Sequence, residues 1–170
     1  MKILHVISGL KRGGAETQLF RICQFDRDNV HVVVSLSNKE GYGDILEKIN
    51  VSVYALNFSS GKINISGLFK LYRIIKQSKP DVVQTWMNHA DLIGGIIGRI
   101  AGIKNIFWGV HQTILIRGKS KASTIMIVRL NAILSNLIPN KIIYCAEKSR
   151  EVHELIGFKK SKGVVIQNGY

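Results

Sequence analysis

The feature that most constrains this chain is an alternation. Short runs rich in β-branched residues recur along its length, and stretches with helical spacing lie between them. The runs are residues 2–8, 29–35, 51–56, 81–85, 105–110, 141–145 and 163–166. Most are almost wholly apolar, so they read as strands covered on both faces, as parallel strands are. Between them, Ala15, Leu19, Ile22 and Cys23 fall at i, i+4, i+7 and i+8. Leu68, Leu71, Tyr72 and Ile75 fall at i, i+3, i+4 and i+7. Both spacings mark one apolar helix face. Residues 44–48, 90–101, 120–137 and 147–156 supply the other helices. Gly102 and Gly157 stand where helix C-caps belong. Pro80 and Pro139 stand just before strands, where each stops a helix. Alternation of this kind predicts an α/β fold: a three-layer α/β/α, Rossmann-like domain with about seven mostly parallel strands. A length of 170 residues suits one such domain. No linker or repeat divides it. The final Gln167-Asn168-Gly169-Tyr170 carries a turn signal with nothing after it, as expected of a connection to a following domain.

Composition removes several classes. Apolar residues make up 46% of the chain, which excludes wholesale disorder. The N-terminal apolar stretch is brief, contains His5 and breaks at Ser8-Gly9, so it reads as a buried strand rather than a secretory signal. The longest apolar windows, residues 92–103 and 125–138, contain Arg99 and Arg129 and are too short to span a bilayer. Two cysteines, Cys23 and Cys145, exclude a disulfide-built fold and read as buried thiols in a reducing cytoplasm.

Charge points to an anionic partner. Lys and Arg number 24 against 11 Asp and Glu, a net +13. Residues 92–146 hold no acid but seven bases, and residues 48–80 are also acid-free. Such a field suits nucleic acid, an anionic membrane surface or a phosphorylated substrate, or it is a solvated basic surface. Nucleic acid is the least supported, because no zinc pattern, helix-turn-helix or RNA-recognition motif is present. Two segments combine bases with apolar helical spacing, residues 62–79 and 118–138, and either could lie in a membrane interface. Their apolar faces are equally suited to covering the sheet.

In a doubly wound sheet, ligands bind beyond the carboxyl ends of the strands. The first such loop reads Ser8-Gly9-Leu10-Lys11-Arg12-Gly13-Gly14-Ala15-Glu16. Gly13-Gly14 opens a helix whose free N–H groups make a phosphate seat, or it is a plain tight turn. Neither G-x-G-x-x-G nor the P-loop pattern is present. Glu16 either meets a ligand or complements the helix dipole. The histidines His5, His31, His89, His111 and His153 have no ligand spacing, so no metal site is expected.

At this point the sequence resembles a known family. L-H-V-I-S-G-L-K-R-G-G-A-E-T is similar to the opening of family 4 glycosyltransferases that build bacterial surface polysaccharides. D-V-V-Q-T-W-M-N-H-A-D-L-I-G-G, F-W-G-V-H-Q and V-V-I-Q-N-G-Y are similar to later segments of that group, in order. The resemblance implies the N-terminal, acceptor-side half of a GT-B enzyme, with the donor-binding half absent from this chain. It implies sugar transfer, with retention, from a nucleotide-sugar to a glycan or lipid-linked acceptor, as in lipopolysaccharide or capsule synthesis. It implies no cofactor beyond that co-substrate. The isolated half would be inactive.

The resemblance also nominates residues. His111, after the fifth strand, would hydrogen-bond the donor sugar. His89 would assist from the loop after the fourth strand, where the family's His-x-His places hold Gln84 and Trp86. Gly13 and Gly14 would approach the donor phosphate, with Glu16 beside them. Trp86 would stack on a sugar ring or belong to the core, and Asn88 would bind substrate or cap its helix. Glu147 would bind substrate after the sixth strand, where the family often shows a Ser-Glu pair, and Arg150 nearby would contact a phosphate or merely be surface. The alternative reading is a non-catalytic anion- or lipid-binding module.

Overall fold

A computed structural model of the chain describes residues 1–58, 63–111 and 122–168. Seven parallel strands form one sheet in the order β3-β2-β1-β4-β5-β6-β7. They are β1 (Lys2–Ile7), β2 (Val30–Ser35), β3 (Ser52–Ala55), β4 (Val82–Trp86), β5 (Ile106–Val110), β6 (Lys141–Tyr144) and β7 (Gly163–Val165). Six helices connect them: α1 (Gly14–Phe25), α2 (Gly43–Lys48), α3 (Ile65–Ser78), α4 (Asn88–Ile100), α5 (Ala122–Leu134) and α6 (Glu147–Ile156). The strand order reverses at β1, the switch point of a doubly wound, Rossmann-like fold.

Two cores result, one on each face. Leu4, Val6, Val83, Ile106, Trp108, Ile142 and Tyr144 share the larger core with residues of α3, α4 and α5. Three glycines let α4 lie close to the sheet: a Cβ on Gly94 would come within 2.9 Å of Thr85 Cγ2, on Gly95 within 2.7 Å of Trp108 Nε1, and on Gly98 within 3.0 Å of Ile106 Cδ1. The smaller core gathers Ile7, Val33, Val53 and Trp86 beneath Ala15, Leu19 and Cys23 of α1 and Leu46 of α2.

The expectation that strands are covered on both faces is corrected for half of the sheet. Right-handed crossovers put α1 and α2 on one face and α3 to α6 on the other as the strand order reverses. Beyond α1, none of the helices among the described residues lies on the first face. Val82, Gln84, Phe107 and Ile143 line a groove of about 370 Å³ there, together with Gln18 and Ile22 of α1 and Ile166. Ile22, expected in the core, is 40% exposed for this reason. Cys23 is buried as expected, whereas Cys145 is only half-buried.

Candidate functional site

Register builds the rim. Ile7 pairs with Trp86 and Trp86 with Gly109, so the carboxyl ends of β1, β4 and β5 lie side by side. Tyr144 of β6 pairs with Val110 and extends the row. Gly13-Gly14 follows the first of these ends, His89 the second, His111 the third, and Glu147 the fourth. In the helices that start at this rim, α1, α4 and α6, the N-cap residue makes no side-chain cap. The positive ends of three helix dipoles therefore lie at the rim.

Gly13 and Gly14 are not required by the chain's own packing. Gly13 has extended backbone, φ −165°, that any residue can adopt. A Cβ on Gly14 would meet nothing within 4 Å. A Cβ on Gly13 would collide with the carboxylate of Glu16, which folds back over the start of α1 and accepts from its own backbone N–H. Burial raises the Glu16 pKa above its usual value. Glu16 thus covers the start of α1 at Gly13.

His111 packs over Gly109 and stacks on Trp86, with ring centroids 4.9 Å apart and 16° between planes. Gly109 makes this possible, because a Cβ there would lie 2.7 Å from the Thr85 carbonyl and 3.3 Å from His111 Nε2. Burial lowers the His111 pKa to about 4, so the ring is neutral at pH 7. Its Nδ1 is buried and has no hydrogen-bond partner among the described residues. A neutral imidazole with an unused nitrogen can serve a ligand hydroxyl as a hydrogen-bond partner; it is a poor base at neutral pH.

Trp86 is 3% exposed and held on three sides. His111 covers one face, His5 packs beside it at 6.0 Å, and the indole N–H donates to His5 Nδ1 at 3.2 Å. Its place in the core leaves no free face for a sugar ring. Asn88, expected at the substrate or as a helix cap, is corrected as a cap. It is 3% exposed in the first turn of α4, its carbonyl accepts from Asn131 Nδ2 at 2.8 Å, and Met87, not Asn88, is the N-cap. His89 remains half-buried at the start of α4, with its pKa lowered by burial. Arg150 and Glu147 reach the rim but pair with each other at 3.3 Å, and Arg150 also binds Glu154 at 2.8 Å.

Several rim features carry no pattern in the sequence. Met87 has φ 72° and ψ 156°, a conformation non-glycine residues rarely adopt, where β4 turns into α4. Its N–H is fixed by the Gly109 carbonyl at 2.9 Å. Behind it, Asp91 is fully buried and accepts from the Thr85 hydroxyl at 2.5 Å. Burial raises its pKa well above the usual carboxyl value. Asp91 therefore ties α4 to β4 in the same first turn that carries His89.

The expectation that no histidines share ligand spacing is corrected by the β1–β2 ladder. His5, His31 and Cys23 are buried with one ligand atom each within 4.8 Å of the others. The protons nevertheless leave little room for a metal. An indole N–H can only donate, so His5 Nδ1 accepts and a neutral His5 carries its proton on Nε2. That proton points at His31 Nδ1, 3.0 Å away. His31 Nε2 then faces the Asp26 carbonyl at 3.3 Å and its carboxylate at 3.4 Å. Burial, and then the neighbouring His31, lower the His5 pKa to about 3, which agrees with a neutral ring. Both metal-facing nitrogens are thus engaged in one relay from Asp26 to Trp86. The single Asp-x-Asp tripeptide, Asp26-Arg27-Asp28, lies between α1 and β2, at the end of the sheet opposite the rim.

Solved structures share this fold. HepE (Alr3699) from Anabaena in complex with UDP aligns at TM-score 0.80 and 22% identity, covering 100% of this chain and 44% of that one. The lipopolysaccharide outer core galactosyltransferase WaaB aligns at 0.69 and 15%, covering 100% and 46%. The UDP-GlcNAc 2-epimerase from Methanocaldococcus jannaschii aligns at 0.63 and 16%, covering 99% and 46%. The chain therefore spans less than half the length of these structures, and the fold is shared by proteins of different activity. No curated protein matches the chain. The sequence profile of Glycosyltransferase Family 4 matches residues 12–170, nearly the whole length. The chain belongs to Glycosyltransferase Family 4.

Proposed function

We propose that this chain is the acceptor-side half of a retaining glycosyltransferase that moves a sugar from a nucleotide-sugar to a glycan or lipid-linked acceptor. The observation that carries this reading is the shared rim. Gly13-Gly14, His89 and His111 come from three separated segments, yet the β1-β4-β5 register sets them on one edge of the sheet. HepE, a structural neighbour, was solved with UDP-glucose, which supports a nucleotide-sugar as the donor class.

The chemistry asked of these residues is modest. The N-termini of α1, α4 and α6 suit a leaving diphosphate, whose charge they stabilise without reorganising. Neutral His111, part-exposed at the rim, orients a sugar hydroxyl. Glu16 swings away when phosphate arrives at Gly13-Gly14. Arg150 is available to a phosphate once its pairs with Glu147 and Glu154 both open. Closure against a donor-binding domain would exclude water and complete the site.

The test is turnover by the complete protein across a panel of nucleotide-sugars. Transfer or donor hydrolysis with one of them, lost in His111→Ala, supports the reading, and the anomeric configuration of the product decides retention. A second reading, a non-catalytic anion-binding module, draws on the +13 charge and the helix N-termini at the rim. It wins if the complete protein binds nucleotide or phosphate yet turns over no donor.

A further inference from the structure

A hydrogen-bonded chain of side chains crosses the first face of the sheet, from the amino ends of the strands to the rim. His5 of β1 lies opposite Val33 of β2 and Gln84 of β4. Its diagonal neighbours, two residues away on either strand, are His31 and Trp86. Trp86 donates its indole N–H to His5 Nδ1 at 3.2 Å, and His5 Nε2–H donates to His31 Nδ1 at 3.0 Å. His31 Nε2–H faces the Asp26 carbonyl at 3.3 Å and its carboxylate at 3.4 Å. Asn29 in turn donates to both carboxylate oxygens of Asp26, at 2.9 and 2.8 Å. Every proton of the chain therefore points away from the rim, because it starts on a group that only donates and ends on one that only accepts.

Stability does not call for such a chain. Each of these polar groups costs free energy to bury, and an apolar set of the same shape would pack at least as well. A phenyl ring at position 86 would also give His111 a face to stack on, with no N–H to satisfy. What a fully paired buried network adds is a single arrangement of its members. An indole held by packing alone can tilt or turn over; one held by its N–H cannot. The member nearest the rim is Trp86, 3% exposed, and on it rests His111, with ring centroids 4.9 Å apart and 16° between planes. The orientation fixed at His5 is thus passed to the histidine at the rim.

We infer that His5 is a positioning residue: through the indole of Trp86 it sets the ring of His111 at the rim, while His31 and Asp26 hold His5 in the tautomer that accepts from Trp86. His5 is 2% exposed, so it acts through Trp86 rather than by touching a ligand. Burial, and then His31, keep its ring neutral, as an acceptor for the indole has to be. The part this gives His5 in catalysis rests on the transferase reading above, in which His111 orients a sugar hydroxyl. The coupling of His5 to His111 rests on the hydrogen bonds and the ring stack alone.

The experiment combines NMR of the complete protein, with isotope-labelled tryptophan and histidine, and kinetics of sugar transfer. Trp108 is the internal control, since its Nε1 has no hydrogen-bond partner among the described residues. His5→Leu should shift the Trp86 indole N–H signal and the His111 ring signals, and leave the Trp108 signal in place. His5→Asn keeps an acceptor near the place of Nδ1 and should restore them. In transfer, His5→Leu should lower kcat roughly tenfold with KM for the donor little changed, as a misplaced group does, and His5→Asn should recover most of the loss. In a His111→Ala background, His5→Leu should cost nothing further, whereas a general weakening of the fold would cost as much there as in wild type. Unmoved His111 signals in His5→Leu, an additive loss in the double variant, or a His5→Asn as damaged as His5→Leu would each overturn the inference. So would a wild-type His5 that carries its proton on Nδ1, a reading that needs no variant to fold. A wild type that turns over no donor overturns the transferase reading and the catalytic part of His5 with it, while the ring signals still decide the coupling.

Discussion

The part-exposed imidazole of His111 is where a single side chain should matter most. In the complete protein, His111→Ala is expected to lower kcat/KM roughly a hundredfold, the scale of one lost hydrogen bond to developing charge. His89→Ala should cost less. With its pKa near 4, His111 stays neutral from pH 5.5 to 8, so its share of the rate should be flat across that range. A rate inflection near neutrality that disappears in His111→Ala would contradict this assignment. Gly109 is the companion position. An added Cβ would lie 2.7 Å from a carbonyl of the neighbouring strand, which cannot give way. Gly109→Ala should therefore destabilise the fold by about 1–3 kcal/mol, measured as a lower urea midpoint. The same substitution should disturb the stacking of His111 on Trp86.

Among the elements, α4 is the most exacting. Gly95 faces Trp108, which is fully buried and has no room to move. Alanine favours helix by up to about 1 kcal/mol over glycine, yet Gly95→Ala should lower stability, because the overlap with the indole and with Ile138 outweighs that gain. An unchanged or raised urea midpoint would show that α4 slides to make room. The elements themselves were legible. Seven β-branched runs became seven strands, because a strand buried between layers has to be apolar along its length. Helix α4 begins at Asn88, earlier than the apolar period suggests, because its first turn is built from polar residues tied to α5 and β4. What the sequence left hidden is what only a ladder brings together. His5 and His31 are far apart in the chain, and the β1–β2 register makes them partners. Trp86 and His111 likewise meet through the strands that carry them. The open half of one sheet face was equally invisible, since an apolar strand reads the same whether one or both sides are covered.

At the scale of the whole molecule, acid should be the weak point. His5 and His111 are held neutral, with pKa values lowered to about 3 and about 4, and burial lowers those of His89 and His153 as well. The unfolded chain takes up these protons near pH 6.5, whereas the folded chain does not, so stability is whole above about pH 6.5. It should fall as pH drops from there towards 4 and level off near 3. Asp91 acts in the opposite sense. Its raised folded pKa means that the unfolded chain loses its proton first, so its contribution declines as pH rises above the usual carboxyl range. Asp91→Asn should therefore steepen the loss of stability on acidification, since the opposing slope is gone. Urea midpoints at pH 7 and pH 4.5, compared between wild type and Asp91→Asn, test both signs; a variant curve parallel to wild type would contradict the role given to Asp91. The central position of β1 has one more outcome. It is synthesised before both of its neighbours, and β2 soon flanks one of its sides, but the other neighbour is β4, at Val82–Trp86. Throughout that interval of synthesis a mostly apolar strand waits with a bare edge, so the nascent chain should lean on holding chaperones until α3 has carried β4 across.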